Sequence, residues 1–428
     1  MIRVVDCSLS DIESIKDTIL KRVSEDDAQI TDVVSRICLN IKAEGEKAVR
    51  EYAKKLDELQ GNDFFVSEDE LTEAKSKLTE EVKAALRQAY QNIKSFHEFQ
   101  FPKAYETETM PGVLCRREHR PLQRVVLYIP GGTAPLPSTV LMLGIPAQIA
   151  GVEEVVLTTP VGVQGIHPAI AYAAELCGIT KVAKLGGAHA IAGFAYGAVN
   201  GVKADKIFGP GNRYVTAAKQ FVNSDPAGCV IDMPAGPSEV MIIADENANP
   251  LYIAADMLSQ LEHGKDSQAI LITNDPTMPQ RVNREIATIT KRLERSAFIQ
   301  ESIKRSALIV VPDLEVAMQL SNYYAPEHLI LQVEKANSYA RGVRNAGSVF
   351  IGAYSPESAG DYASGTNHSL PTNGYARVYG GVAVESFMKS ITFQTLSGEG
   401  LRNLAPTVIT LAQTEGLTAH AEAVKVRL

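Results

Sequence analysis

Apolar positions follow one rhythm up to about residue 101 and another after residue 120. From Ser10 to about Phe101 they recur at helical spacing among many charges. Ser67 with Glu70 forms a capping-box pattern ahead of LTEAKSKLTEEVKAALRQAYQNIKSF, so this region is predicted to be helical. Beyond Arg120, RVVLYI, EVVLTT, VAKLGG and KIFGPG are each followed by an Ala-rich or amphipathic segment. The rhythm resumes with EVMIIA, AILIT, ALIVV, HLILQ and SVFIG, separated by predicted helices over 249–263, 276–293 and 313–324. This alternation predicts two successive sets of parallel β-α units, joined near MPAGPSE. From Tyr354 to Gly381, Gly, Ser, Pro and Asn crowd a stretch with little periodicity, which predicts a long functional loop. After Phe387 the pattern turns helical again, and no short repeat is detectable.

With 428 residues, two or three domains are expected. Apolar residues make up 45% and charged residues 21%, values ordinary for a globular enzyme and against long disorder. The net charge of −8, without Lys/Arg clusters, argues against a nucleic-acid partner and for a small molecule. Five scattered cysteines with no CxxC pair read as reduced thiols. MIRVVDCSLS has no basic region leading into a long apolar run, and no stretch has the length of a membrane span, so a cytoplasmic setting and no membrane partner are expected.

The chemistry-bearing residues concentrate in the last third. His263 lies in SQLEHGKDSQ, His328 in YYAPEHL, His368 in SAGDYASGTNHSLPT and His420 in TEGLTAHAEAV. Histidine both ligates metals and moves protons near neutral pH. Asn249-Pro250 predicts a helix start and Gly264 a stop, so Gln260 and His263 share one face of a final turn, a spacing that suits metal ligands and equally a solvated polar face. Pro326 blocks helix continuation and pushes Ala325 toward an extended conformation, placing Glu327 and His328 at the mouth of LILQ. Such a pair can divide base and water-activating roles, or be a surface pair. Two histidines, an amide and Asp361 make a zinc-compatible set that would keep open positions, unlike a thiolate cage. By local pattern alone His420 reads as a solvated tail residue. LYIPGGTAP, KLGGAHA and IFGPGNRYV are glycine turns at strand-to-helix joins, but none is a GxGxxG or a Walker motif.

Together YIPGG, KIFGPGN, DMPAGPSEV, LSQLEHGKDSQ, YAPEHL, GSVFIGAYSPESAGDYASGTNHSLPT and GLTAHAEAV resemble the histidinol dehydrogenase family through almost the whole chain. The resemblance implies oxidation of L-histidinol through L-histidinaldehyde to L-histidine with two NAD, the last step of histidine biosynthesis. It implies zinc on Gln260, His263, Asp361 and His420, with the substrate's imidazole and amino group completing the coordination. It implies His328 as base and Glu327 as activator of water. Substrate contacts would come from Ser238, His368, Glu415, His328 and the metal set, and NAD contacts from Tyr128, Asn212 and His189. His189 departs from the family's usual Gln; it can make one of the same hydrogen bonds but can also titrate.

The resemblance also implies a homodimer in which the tail of one subunit completes the other's site. The expected fold is α/β, with two incomplete Rossmann-like domains bearing parallel sheets and helical N- and C-terminal extensions that mediate dimerisation. The expected division is 1–23 as a helical extension, 24–127 with 238–380 as the domain carrying metal and catalytic residues, 128–237 as an inserted NAD-binding domain, and 381–428 as the tail. The nearest rival is a related zinc- and NAD-dependent dehydrogenase of another diol or amino alcohol, such as a sulfopropanediol. A zinc-dependent binding protein or metallohydrolase is a rival of another class.

Overall fold

The computed structural model of the chain describes every residue except 8–11, 23–27, 132–134 and 235. Part of the YIPGGTAP turn, the expected helical start at Ser10 and Ala235 in the join therefore lie outside the described residues. The strands in chain order are β1 (Arg3–Asp6), β2 (Tyr105–Met110), β3 (Val113–Pro121), β4 (Arg124–Tyr128), β5 (Glu154–Thr158), β6 (Lys181–Ala183) and β7 (Lys206–Phe208). They continue as β8 (Val230–Ile231), β9 (Glu239–Ala244), β10 (Gln268–Thr273), β11 (Ala307–Val310), β12 (His328–Gln332), β13 (Ser348–Ile351) and β14 (Met388–Leu396).

Two parallel sheets carry the fold. One has the order β6-β5-β4-β7-β8 and the other β1-β11-β10-β9-β12-β13. Within each, chain order steps outward from a first central strand and then reverses to its other side, so β4/β7 and β9/β12 flank the two reversal points. The apolar runs read as strands are β4 to β7 and β9 to β13, most of them buried on both faces, as parallel strands covered by helices must be. Side chains of each sheet divide between two cores. On the five-stranded sheet, Val125 and Leu127 pack with the helices Glu80–Glu98, Pro137–Ala150 and Pro168–Leu176. Val126 and Tyr128 face Ala28–Glu44, Glu46–Leu56, Gly187–Ala195 and Arg213–Ser224. On the six-stranded sheet, Met241 and Leu329 pack with Leu314–Tyr324, and Val240 and Ile330 with Pro250–Leu261 and Met278–Ile289.

The helices of residues 28–98 bury their apolar faces in the two cores of the five-stranded sheet. Residues 1–23, expected as a helical extension, contribute β1 as an edge strand in register with β11, followed by the short helix Ile12–Thr18. Capping at Ser67 is as read: its hydroxyl accepts from Glu70 N–H at 3.1 Å while Glu70 accepts from Ser67 N–H at 2.7 Å.

The segment after Phe387 does not begin as a helix. Residues 388–396 form β14, antiparallel to β3, which pairs in turn with β2. This ribbon launches the exposed tail helices Gly398–Thr414 and Thr418–Lys425. Ser397 caps the first of them, its hydroxyl accepting from Gly400 N–H at 3.0 Å. No described helix is long and apolar enough to cross a membrane.

Gly209 sits where β7 ends beside the end of β4. Its φ of 118° lies in glycine territory, and a Cβ there would run into the Tyr128 carbonyl oxygen. Gly209→Ala is expected to lower stability by about 1–3 kcal/mol, read as a lower unfolding midpoint; an unchanged midpoint would show that this turn can relax.

Candidate active site

The two sheets meet end against end. A small cavity of about 60 Å³ is lined by Gly209 and Gly211, which follow β7, and by Ser238 and Glu327, which immediately precede β9 and β12. His368 and Lys219 also reach it. The carboxyl edge of the first sheet thus faces the amino edge of the second. On the first side, Lys219 Nζ donates to Asp232 at 2.5 Å and to the Gly209 carbonyl at 2.8 Å, and Gly209 N–H donates to Asp232 at 2.8 Å. This buried clamp fixes the GPGN turn.

Across the cavity, β12 lies parallel to β9 with His328 opposite Val240. That register brings the Glu239 backbone against both residues of the Glu-His pair. Glu239 N–H donates to Glu327 Oε2 at 2.9 Å, and its carbonyl lies 3.3 Å from His328 Nδ1. A carbonyl can only accept, so Nδ1 carries a proton and Nε2 is the nitrogen at which the ring can gain or lose the other. His328 Nε2 is buried without a hydrogen-bond partner, 3.6 Å from Asp361 Oδ1. Ala325 differs from the extended conformation expected of it: at φ 54° it closes the Leu314–Tyr324 helix in the left-handed region, its N–H donating to the Ser321 carbonyl. Helix closure has overridden the bias imposed by the following proline.

Glu239 is itself held. Arg22 Nε and an Nη donate to its two carboxylate oxygens at 2.8 and 2.7 Å, and the guanidinium lies 3.7 Å over the Tyr324 ring. Tyr324 Oη is 2.8 Å from the same carboxylate.

The long stretch 354–381 is not structureless. Glu357–Tyr362 is a short helix that places Glu357 and Asp361 one turn apart. Ligand atoms of His263, Glu357 and Asp361 all lie within 4.8 Å of one another. Gln260 is fully buried in the last turn of Pro250–Leu261, its side-chain amide lying between the Glu357 carboxylate and the Glu239 N–H. His263 lies just beyond the helix end rather than in its final turn, and is exposed. Asn249 caps the helix as read, accepting from Leu251 N–H at 2.9 Å. His368 has both ring nitrogens engaged, Nδ1 at 2.8 Å from the Asp361 carbonyl and Nε2 at 3.1 Å from Thr139 Oγ1 in the first unit.

Charge is unbalanced at this edge. Burial pushes the Glu327 carboxyl up to about 7 and that of Glu357 up to about 8. Burial works against the His328 imidazolium, but Glu327 above all, with Asp361 and Glu357, holds it up at about 10. Burial raises Asp361 too, yet the adjacent His328 imidazolium holds it below the usual carboxylate range. Imidazole and carboxylate donors converging in this way suit a divalent cation with open positions.

On the first unit, a cavity of about 630 Å³ is lined among others by Tyr52, Lys55, Gly187, Ala188, Asn212 and Tyr214. Asn212 caps Arg213–Ser224, its side-chain oxygen accepting from Tyr214 and Val215 N–H at 3.0 and 3.1 Å. Tyr128 Oη accepts from Gly187 N–H at 3.1 Å. His189 is almost fully buried, its Nε2 2.7 Å from Asp57 Oδ2 and its Nδ1 without a partner.

The structure therefore brings Gln260, His263, Asp361, Glu327, His328, His368 and Ser238 to one edge, and Tyr128, His189 and Asn212 to another region facing it. It does not bring in Glu415 or His420, which lie exposed on the tail. Glu357, Arg22, Glu239, Thr139 and Asp57 escaped the sequence reading. Only Glu357 had a local signal, its four-residue spacing to Asp361 after Pro356 in SPESAGDY.

A sequence profile described as Histidinol dehydrogenase matches residues 20–428. A protein of Vibrio vulnificus (strain YJ016) named histidinol dehydrogenase is 49% identical over 426 residues, covering 99% of this chain and 98% of that protein. One of that name from Bacteroides thetaiotaomicron is 48% identical over 411 residues, 96% of each. The crystal structure of histidinol dehydrogenase from Elizabethkingia anophelis superposes with a TM-score of 0.94 at 45% identity, covering 100% of this chain and 98% of the other.

The Arg22–Glu239 pair supports the backbone on which Glu327 and His328 rest. Arg22→Ala leaves a buried carboxylate without its ion-pair partner and is expected to cost roughly 3 kcal/mol of stability. Denaturant unfolding checks this, and a cost below the error of the measurement would contradict it.

Proposed function

The chain belongs to the histidinol dehydrogenase family, and from that premise we propose how its residues divide the work. Its activity is that of the family, NAD-dependent oxidation of histidinol; another diol or amino alcohol as substrate is not favoured by relatives that share the name over nearly their whole length. The proposal is that Gln260, His263 and Asp361, joined by His420 of a second copy, hold zinc. The close approach of His263 and Asp361 supports this. Zinc held by these residues would supply a Lewis acid for the substrate's nitrogen ligands, and NAD would accept hydride.

His328 takes the alcohol proton on Nε2, the nitrogen left free by the Glu239 carbonyl. Glu327, held by Glu239 N–H and buried, activates the water that hydrates the aldehyde, so that a second oxidation yields the carboxylate. Ser238, His368 and, from the second copy, Glu415 orient the substrate. The single observation that carries this division is the Glu239 backbone, whose N–H meets Glu327 and whose carbonyl meets His328. Tyr128, His189 and Asn212 are proposed to contact NAD. Support comes from the cavity beside Gly187 and Asn212, near the strand-order reversal at β4 and β7, where open α/β sheets bind ligands. We read both parallel sheets as incomplete Rossmann-like units on the same strand-order argument.

A homodimer with shared sites is part of the proposal. The tail helices expose Leu411, Leu417, Val426 and Leu428 and carry His420 away from its proposed companions. A cytoplasmic setting is proposed as well, supported by Cys38, Cys115, Cys177 and Cys229, which form no disulfide.

Two measurements test this reading. His328→Ala should impair both oxidations, whereas Glu327→Ala should spare the first and stall after the aldehyde; equal loss of both steps in Glu327→Ala would contradict the assignment. Mixing an inactive His420 variant with an inactive His263 variant should recover part of the activity through hybrid dimers, and recovery of none would argue against shared sites.

A further inference from the structure

His97 is fully buried in the last turn of the helix Glu80–Glu98, and none of the proposed roles uses it. Its Nδ1 lies 2.8 Å from the Ile93 carbonyl, one turn earlier in the same helix. A carbonyl only accepts, so Nδ1 carries a proton and Nε2 of the neutral ring is an acceptor. Burial pushes this imidazole below the ordinary histidine range, which favours the neutral form. At 3.2 Å from Nε2 stands the side-chain nitrogen of Asn367.

Asn367 is buried too, and its amide is held at both ends. The nitrogen donates to His97 and to the Met142 carbonyl at 2.6 Å, while the oxygen accepts from Ser369 N–H at 2.9 Å. The reverse orientation would set the oxygen against the Met142 carbonyl and the nitrogen against an N–H, so these contacts allow only one. His97 and Met142 stand on the helices Glu80–Glu98 and Pro137–Ala150 of the first unit, whereas Asn367 and Ser369 flank His368. One amide thus pins the chain on both sides of His368. Asn92, on the same helix as His97, donates to the Ala363 carbonyl at 2.9 Å and steadies the start of that loop. Without Nε2, one buried N–H of Asn367 loses its acceptor, and the amide can turn and carry the neighbouring backbone with it.

We infer that His97 is a positioning residue for the substrate side of the site, a fixed acceptor that holds the Asn367 amide and, through it, sets His368 in place against the first unit. This rests on the reading of His368 as a substrate contact.

Steady-state kinetics of the full chain test it. His97→Asn keeps a donor where Nδ1 faces Ile93 but leaves nothing at the place of Nε2; it should raise the Michaelis constant for histidinol by about 5–30-fold, the worth of one buried hydrogen bond. The Michaelis constant for NAD should not move, because the helix Glu80–Glu98 and Tyr128 pack on opposite faces of the five-stranded sheet. His97→Gln, which can present an oxygen near the place of Nε2, should recover part of the loss. His97→Phe, which keeps a ring of similar size, takes the place of His97→Asn if that variant does not fold. In an Asn367→Ala background the His97 substitution should add nothing, because its effect passes through Asn367. An unchanged constant for histidinol would overturn the inference, as would an equal rise in both constants or a full further rise in the Asn367→Ala background. His368→Ala separates the two layers: if it leaves the constant for histidinol unchanged, the reading of His368 fails and the inference falls with it, whereas a rise there without one in His97→Asn sinks the inference alone.

Discussion

The site depends on a surplus of buried negative charge at the amino ends of β9 and β12. Glu327, Glu357 and Asp361 converge there beside the imidazoles of His263, His328 and His368, while Arg22 is paired with Glu239. Carboxylates held this close in a dry setting must take up protons, draw a histidine into its charged form or share a metal ion. The upward push on Glu327, Glu357 and His328 is the response of the protein alone. A divalent ion held as proposed would relieve the same repulsion and leave His328 Nε2 free for proton transfer.

The architecture serves this constraint by turning the two parallel sheets in opposite senses toward the cavity between them. The carboxyl edge of the five-stranded sheet presents glycine turns and helix starts, which suit a dinucleotide. The amino edge of the six-stranded sheet presents side chains from strand starts and from the end of the Pro250–Leu261 helix. His368 links the two, with one ring nitrogen on the Asp361 carbonyl and the other on Thr139 in the first unit. Asn367 adds a second tie, donating to the Met142 carbonyl at 2.6 Å. The chemistry is thus built at a seam.

Much of this was legible in the residues. Continuous apolar runs such as EVMIIA and HLILQ marked buried parallel strands because such strands have no solvated face. Asn249 and Ser67 marked helix starts because their side chains satisfy free N–H groups. What was hidden was non-local. β1 is recognisable only through its partner β11, some 300 residues away in the chain. β14 is held by cross-strand pairing with β3 and not by its own pattern. The helices of residues 28–98 show an apolar face but not which sheet it will cover. At the site, Gln260 and His263 were visible as a spacing, and Glu327 with His328 as a pair behind Pro326. Their shared anchor is main chain, the N–H and carbonyl of Glu239, which leave no mark in side-chain identity. Arg22 and Asp57 are ordinary surface types by sequence, and only the fold buries them against Glu239 and His189.

The central claim is that distant segments converge on one divalent ion that holds an amino alcohol while its other end is oxidised twice. The most direct measurement titrates metal-stripped protein with zinc while counting NADH formed from a limiting amount of histidinol. The account predicts activity that rises to a plateau at one zinc per chain and two NADH per histidinol consumed. Full activity without metal, or a single NADH per histidinol, would contradict it.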